Sequence, residues 1–199
     1  DLKARLTQSD CSRWIRDARV YQILPRAFNL PGWRAAMRLP AGPDTGRFFA
    51  DFSAEDVQKM IDRGFNSIYI IGAFPIGERM AKGTAGGSPF SIRRHWTVDG
   101  AHGSDRDVER FVLMCNRQGV SVLVDLVLNH SAVDADLAPL APDSYLYRER
   151  EPAPEQRRGY CFNPEVGLWM RHGGYLDDER GCKEFWTDTL QYNLWNPTL

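Results

Sequence analysis

Apolar residues gather in three short runs that have the composition of buried β-strands. The runs cover residues 20–24, 67–71 and 120–127 and are rich in valine, isoleucine, leucine and tyrosine. Strands that are apolar without alternation are typical of parallel sheets, because both faces of such sheets are covered. The pattern therefore predicts three parallel strands.

Amphipathic helices are predicted before the second and the third run. Ser53 has the side chain of an N-cap for the first helix, and Gly64 ends that helix. The second helix begins at Ser104 with acidic residues in its first turn, and it closes at Gly119. The apolar positions of the two helices are Val57, Met60, Ile61, Val108, Phe111, Val112 and Cys115.

The order strand, helix, strand, helix, strand is the signature of parallel βαβ units, so we predict an α/β fold. Two long segments rich in glycine and proline, 29–47 and 72–103, each follow the C-terminal end of a strand. Beyond residue 131 the alternation is lost. We expect two parts, with three strands and two helices in 1–131 and an irregular excursion in 132–199.

Composition excludes several classes of function. The chain has 199 residues, of which 43% are hydrophobic and 26% charged, and its net charge is −1. These values are typical of globular proteins and offer no electrostatic basis for binding nucleic acid or an anionic membrane. The first residues carry no apolar secretory segment, so a cytoplasmic location is expected unless a signal has been removed upstream.

The four cysteines do not form a metal or redox motif. Cys11, Cys115, Cys161 and Cys182 are far apart, with no C-x-x-C spacing. Cys115 lies on the apolar face of the second helix and is interpreted as a buried small hydrophobe. Cys161 and Cys182 can pair if the protein is exported, whereas free thiols are the expectation inside the cell.

A polar motif ends the third apolar run. The hexapeptide 125–130 places Asp125, Asn129 and His130 just past the predicted strand. In α/β barrels the chemistry lies at the C-terminal ends of the strands. The alternative is structural, since Asp and Asn form turns and a histidine at a strand end is often tied to the backbone.

The hexapeptide resembles the Asp-x-x-x-Asn-His signature of the alpha-amylase family of glycosidases. Further segments resemble that family in the same order along the chain. They are residues 21–28 (YQILPRAF), 73–77 (AFPIG), 87–90 (GSPF), 96–99 (WTVD) and 186–189 (WTDT), with Asn193 and Asn196-Pro197. The resemblance runs from about residue 20 to the last residue.

This resemblance implies the N-terminal portion, about three βα units, of a TIM (β/α)8 barrel, with a domain B-like insertion after the third strand. It also implies a fragment of a retaining glycosidase or transglycosylase that acts on alpha-linked glucosides. Retaining hydrolysis needs two carboxyl groups about 5–5.5 Å apart. In the family these follow later strands, so we expect no catalytic residue in this chain and no hydrolysis by it alone.

The resemblance also implies roles for individual residues. His130 matches a histidine that hydrogen-bonds the sugar, and Phe90 falls where the family usually has a tyrosine that stacks on the sugar ring. Asp125 matches a carboxylate that supports the active-site arginine, and it is counted with the substrate-binding residues. Asn129 matches a calcium ligand, which makes calcium an expected cofactor, because amide oxygens suit this hard cation.

Two hypotheses for function remain open at this stage. One is the glycosidase fragment, with an alpha-glucan or maltooligosaccharide as substrate and the rest of the barrel as a partner. The other is a non-catalytic alpha-amylase-like protein that binds carbohydrate or assembles with a partner. A third hypothesis is an unrelated α/β enzyme, which would share with the alpha-amylase family only the polar residues at the strand ends. The extended resemblance argues against it.

Overall fold

Three parallel strands lie at the centre of the first of two compact units in the computed structural model. The structure describes residues 15–28, 32–36, 38–39, 41–83, 86–177 and 182–196. The first unit comprises Asp1–Ala73 and Gly100–Asp125, and the second comprises Phe74–Asp99 and Leu126–Leu199. Each unit is built from separate stretches of the chain. The sequence-based division at residue 131 stays a prediction.

The sheet of the first unit has the order β1-β2-β3, with all neighbours parallel. Strand β1 is Val20–Ile23, β2 is Ser67–Ile70 and β3 is Ser121–Val124. The predicted α/β character and the three predicted strands are therefore found.

The third strand is shorter and less buried than the sequence predicted. The amide of Asp125 donates to the carbonyl of Ile70, the last residue of β2, and the pairing ends there because β2 ends there. Val124 is 45% exposed, since β3 is an edge of this three-stranded sheet. The length of β3 is therefore set by the end of β2, and its exposure by its place at the edge of the sheet. Neither can be read from the local apolar run.

The two longer helices of the first unit begin where the sequence predicted them, and two short helices that were not predicted precede them. Helix α1 is Trp33–Ala36, α2 is Phe48–Asp51, α3 is Ala54–Asp62 and α4 is Asp105–Arg117. A capping box precedes each of the two longer helices, formed by Ser53 with Asp56 and by Ser104 with Asp107. Gly64 has a φ of +90°, as expected of a glycine that follows a helix.

An aromatic cluster fills the core of the first unit. Helices α1 and α2 supply three of its six rings. Helix α1 lies within the segment 29–47, for which no helix was predicted. The cluster consists of the buried side chains Phe28, Trp33, Phe48, Phe49, Phe52 and Phe111. Val108 and Val112 on α4 are only half-buried, so Phe111 and Cys115 carry the contact of this helix with the core.

The second unit consists of short antiparallel pairs. Its elements are β4 (His130–Ala132), α5 (Leu137–Leu140), β5 (Tyr147–Arg148), β6 (Tyr160–Asn163), β7 (Leu168–Arg171), β8 (Gly173–Asp177), β9 (Cys182–Trp186) and β10 (Thr189–Gln191). Strand β10 pairs with β4, β7 lies between β5 and β6, and β8 pairs with β9. Segment 132–199, predicted to be irregular, thus contains regular pairing in strands of two to five residues. Such strands are too short to show a clear alternation in sequence.

A small core holds these pairs together. It consists of the buried residues Val133, Ala138, Tyr145, Met170, Leu190 and Tyr192. The hydroxyl group of Ser131 donates to that of Tyr145 at 3.0 Å, which satisfies polar groups inside this core. In the part of the chain that the structure describes, no helix is long and apolar enough to cross a membrane.

Candidate sugar-binding site

A cavity of about 370 Å3 lies within the second unit. The residues around it combine aromatic rings with polar and charged groups. They are Lys82, Ser88, Phe90, His130, Trp186, Asp188 and Thr189. Two of the predicted site residues, Phe90 and His130, therefore lie at the same cavity although 40 positions separate them in sequence. A concave site with aromatic walls and a few polar groups is typical of a small-ligand site.

The pairing of β10 with β4 brings residues 186–189 to the cavity, although they are distant in sequence from His130. Strand β10 runs beside β4, with Gln191 opposite His130 and Thr189 opposite Ala132. The turn between β9 and β10 therefore reaches the cavity. Two bonds hold its backbone, since the carbonyl of Asp188 accepts from the hydroxyl of Ser91 at 2.8 Å and from the amide of Val133 at 3.1 Å.

His130 is held by its neighbours and is only 8% exposed. Its Nδ1 lies 3.2 Å from the side-chain nitrogen of Asn129, and an amide nitrogen can only donate. Nδ1 is therefore the acceptor, and the neutral ring carries its proton on Nε2. A hydrogen bond from the ring to the backbone of Phe90 occupies the remaining donor. The edge of the ring also packs against Trp186, with 5.2 Å between the ring centroids.

Burial keeps the imidazole neutral. Desolvation lowers the pKa of His130, while the hydrogen bond to the Phe90 backbone and the charge of Asp188 raise it to a smaller extent. His172, nearly fully buried, follows the same rule: burial lowers its pKa, and its bond to the carbonyl of Thr189 raises it less. The site therefore presents neutral rings at pH 7.

Gly173 allows β8 to approach His130. A Cβ atom at this position would lie 2.5 Å from Oγ1 of Thr189 and 3.3 Å from Cβ of His130. The hydroxyl of Thr189 is itself engaged, because it donates to the carbonyl of Trp186 at 2.8 Å. Any side chain at residue 173 would displace the wall of the cavity.

Phe90 presents an aromatic ring that is 43% exposed. Its backbone amide donates to the hydroxyl oxygen of Ser88 at 3.3 Å, which keeps residues 88–90 in a tight turn. Apolar ring surface open to a cavity suits the C–H face of a sugar. The predicted stacking role of Phe90 stays a prediction that this placement supports.

Asn129 was predicted to bind calcium. Its side-chain oxygen and its backbone oxygen both accept hydrogen bonds from Nε2 of Gln191, each at 3.0 Å. Within the described residues no three His, Cys, Asp or Glu side chains are grouped so that they could hold a metal ion. An amide donor thus contacts both oxygens of Asn129. Calcium binding stays a prediction.

Asp125, the third predicted substrate-binding residue, belongs to the first unit. Its carboxylate accepts a hydrogen bond from the hydroxyl of Tyr69 at 2.5 Å. This bond is the main cause of a raised pKa of Tyr69, because it stabilises the protonated phenol. The role predicted for Asp125, support of an arginine, remains untested by these contacts.

Asp188 and Trp186 were not predicted as site residues. The sequence analysis used them only as part of a segment that precedes a fourth strand. Asp188 is 4% exposed, and its charge raises the pKa of both His130 and His172. No local pattern marks such a residue, because its neighbours at the cavity come from β4 and from the turn at Phe90.

The chain is similar in structure to alpha-amylase-type enzymes. A noncanonic maltogenic alpha-amylase from Thermotoga neapolitana matches with 19% identity and a TM-score of 0.59, over 92% of this chain and 33% of that chain. Trehalose-6-phosphate hydrolase from Bacillus licheniformis matches with 17% identity and a TM-score of 0.64, over 93% and 31%. A mutant of the trehalulose synthase MutB, in complex with the substrate sucrose, matches with 17% identity and a TM-score of 0.58, over 94% and 32%.

These similarities show the fold. The chain has the fold of about one third of each of these alpha-amylase-type structures, which confirms at that level the resemblance predicted from the sequence motifs. It spans about a third of their length. No protein-family model matches the sequence, and no curated protein matches it.

Proposed function

We propose that this chain is the sugar-binding, N-terminal part of a retaining glycosidase or transglycosylase that acts on alpha-linked glucosides. The observation that carries the proposal is the fold, which matches alpha-amylase-type enzymes over about nine tenths of the chain. In this proposal β1, β2 and β3 are the first three strands of a (β/α)8 barrel, and segment 132–199 is the insertion after the third strand.

The cavity of the second unit supports a sugar as ligand. Phe90 and Trp186 offer ring surface to the C–H faces of a pyranose, while His130 forms part of the polar wall. The neighbours give the substrate class some support, since one of them was crystallised with glucose and another with the substrate sucrose. For this protein we propose an alpha-glucan or maltooligosaccharide.

Among the described residues that line the cavity, Asp188 is the only one with a carboxylate, whereas retaining hydrolysis uses two. We therefore place the nucleophile and the acid–base in further strands of the barrel, and we expect the 199-residue chain to bind sugar without hydrolysing it. The same observation favours a second candidate, an alpha-amylase-like protein that only binds carbohydrate. Release of reducing sugar from maltooligosaccharides by the complete protein would distinguish the two.

Sugar binding can be measured through tryptophan fluorescence. We expect maltotriose to change the emission of the wild-type protein, because Trp186 lines the cavity. The variant Trp186→Phe should lose this change. The matched control is Trp195→Phe, since Trp195 is 93% exposed and is not among the cavity residues. An equal response to the β-linked cellotriose, or no response to any alpha-glucan, would contradict the proposal.

A further inference from the structure

The polar groups of the cavity differ in how far the protein already satisfies them. The hydroxyl of Thr189 donates to a backbone carbonyl, and the hydroxyl oxygen of Ser88 accepts a backbone amide. Both ring nitrogens of His130 have partners in Asn129 and the Phe90 backbone. In contrast, the hydrogen bonds that Asp188 makes with described residues involve its backbone carbonyl, and its side chain belongs to the cavity wall.

Asp188 is shielded from bulk solvent and fixed in position. It is 4% exposed, so a hydrogen bond that its carboxylate makes at the cavity competes little with bulk water. Its backbone is held in place, because the carbonyl of Asp188 accepts hydrogen bonds from Ser91 and from Val133. A polar side chain held in this way at a cavity wall is what a ligand-binding site requires.

We propose that Asp188 is the main polar ligand contact of the cavity and that its carboxylate accepts hydrogen bonds from two adjacent hydroxyl groups of a pyranose. The inference rests on the proposed function, and it names the group that holds the sugar. His130 then acts as a wall and as support for Phe90, with its nitrogens kept inside the protein.

The surroundings favour neutral donors over a cation as the partner of Asp188. Lys82 lines the same cavity, so its ammonium group would repel a cationic ligand. Adjacent sugar hydroxyls carry no charge, and two of them can reach the two oxygens of one carboxylate. The rings of Phe90 and Trp186 supply the apolar contact that an alternating polar and apolar sugar surface needs.

The test compares Asp188→Asn with Asp136→Asn, which removes the same charge from the same unit. Asp136 is paired with Arg93 and Arg94 at 2.7 and 2.9 Å and is not among the cavity residues. We expect Asp188→Asn to raise the Kd for maltotriose by about 10- to 100-fold, since a hydrogen bond to a charged group is lost. Its Tm should change little, because asparagine keeps the shape of the side chain and the bonds of the backbone carbonyl. Asp136→Asn should lower the Tm and leave the Kd unchanged.

The outcomes separate the two proposals. If the wild-type protein binds maltotriose and Asp188→Asn binds it equally well, the role of Asp188 is overturned and the proposed function stands. A fall in Tm of Asp188→Asn with unchanged affinity would make the residue structural. If the wild-type protein binds no alpha-glucan, both proposals fail.

A second measurement needs no variant. Monodeoxy analogues of maltose, titrated into the wild-type protein, should include two adjacent positions at which loss of the hydroxyl weakens binding by about tenfold. Uniform affinity across the series would overturn the inference.

Discussion

At the scale of single residues, the cavity depends on a position that has no side chain. Gly173 lies against Thr189 and His130, and a Cβ there would meet Oγ1 of Thr189 at 2.5 Å. We expect Gly173→Ala to lower the free energy of unfolding by about 1–3 kcal/mol, the usual cost of overpacking, and to weaken maltotriose binding. Urea denaturation of Gly173→Ala and of Gly100→Ala checks this, since a Cβ at Gly100 would meet nothing within 4 Å. Equal free energies of unfolding of the two variants would show that β8 can shift to accommodate the Cβ atom without a loss of stability.

At the scale of elements, the capping box of α4 is the clearest local determinant of the first unit. The amide of Ser104 donates to Asp107 at 2.8 Å, and the amide of Asp107 donates back to the Ser104 hydroxyl oxygen at 3.2 Å. We expect Ser104→Ala to destabilise the protein by about 1 kcal/mol, measured by urea denaturation. Ser104→Thr keeps the hydroxyl and serves as the control. A loss as large in Ser104→Thr would point to crowding at this site and away from the cap.

The same box links the helix to pH. The hydrogen bonds from Ser104 lower the pKa of Asp107 below its usual value. A carboxylate with a depressed pKa in the folded state contributes stability above its unfolded pKa, and this contribution is lost as the pH falls through the folded pKa. The cap of α4 is therefore intact at neutral pH.

At the scale of the whole molecule, the buried His130 and His172 and the half-buried His95 make stability depend on pH. Burial lowers the pKa of His95, His130 and His172 below the value near 6.5 that they have when unfolded. The unfolded chain then binds more protons, so the stability is complete above about pH 6.5 and falls as the pH drops toward the folded pKa values. We expect the Tm to decrease between pH 7.5 and 5.5, above the range in which most carboxylates titrate.

The variant His172→Asn tests how much one histidine contributes to the pH dependence of the Tm. Nδ1 of His172 donates to the carbonyl of Thr189 at 2.9 Å, and an asparagine amide can replace that donor without titrating. The Tm of His172→Asn should therefore fall less steeply with pH than that of the wild-type protein. Parallel curves would assign the acid sensitivity to other groups.

The sequence by itself determined what depends on near neighbours. The runs behind β1, β2 and β3, the caps at Ser53 and Ser104 and the turn after Gly64 all rest on hydrogen bonds and spacings of a few residues. These signals are visible in the chain because the same short-range forces act in every protein. The polar motif ending in His130 and the segment around Phe90 were recognised in a different way, by their resemblance to segments of the alpha-amylase family.

Only the tertiary structure decided which groups surround His130 and what they do there. The pairing of β10 with β4 brings Asp188, Trp186 and Gln191 to residues about 60 positions earlier in the chain. Strands of three residues carry too little pattern to predict that pairing. The end of β3 likewise depends on where β2 ends, and the hydrogen bonds of Asn129 depend on Gln191. The hydrogen-bond partners of the cavity residues come from distant segments of the chain. The polar groups that are available to a ligand are therefore determined only when the chain has folded.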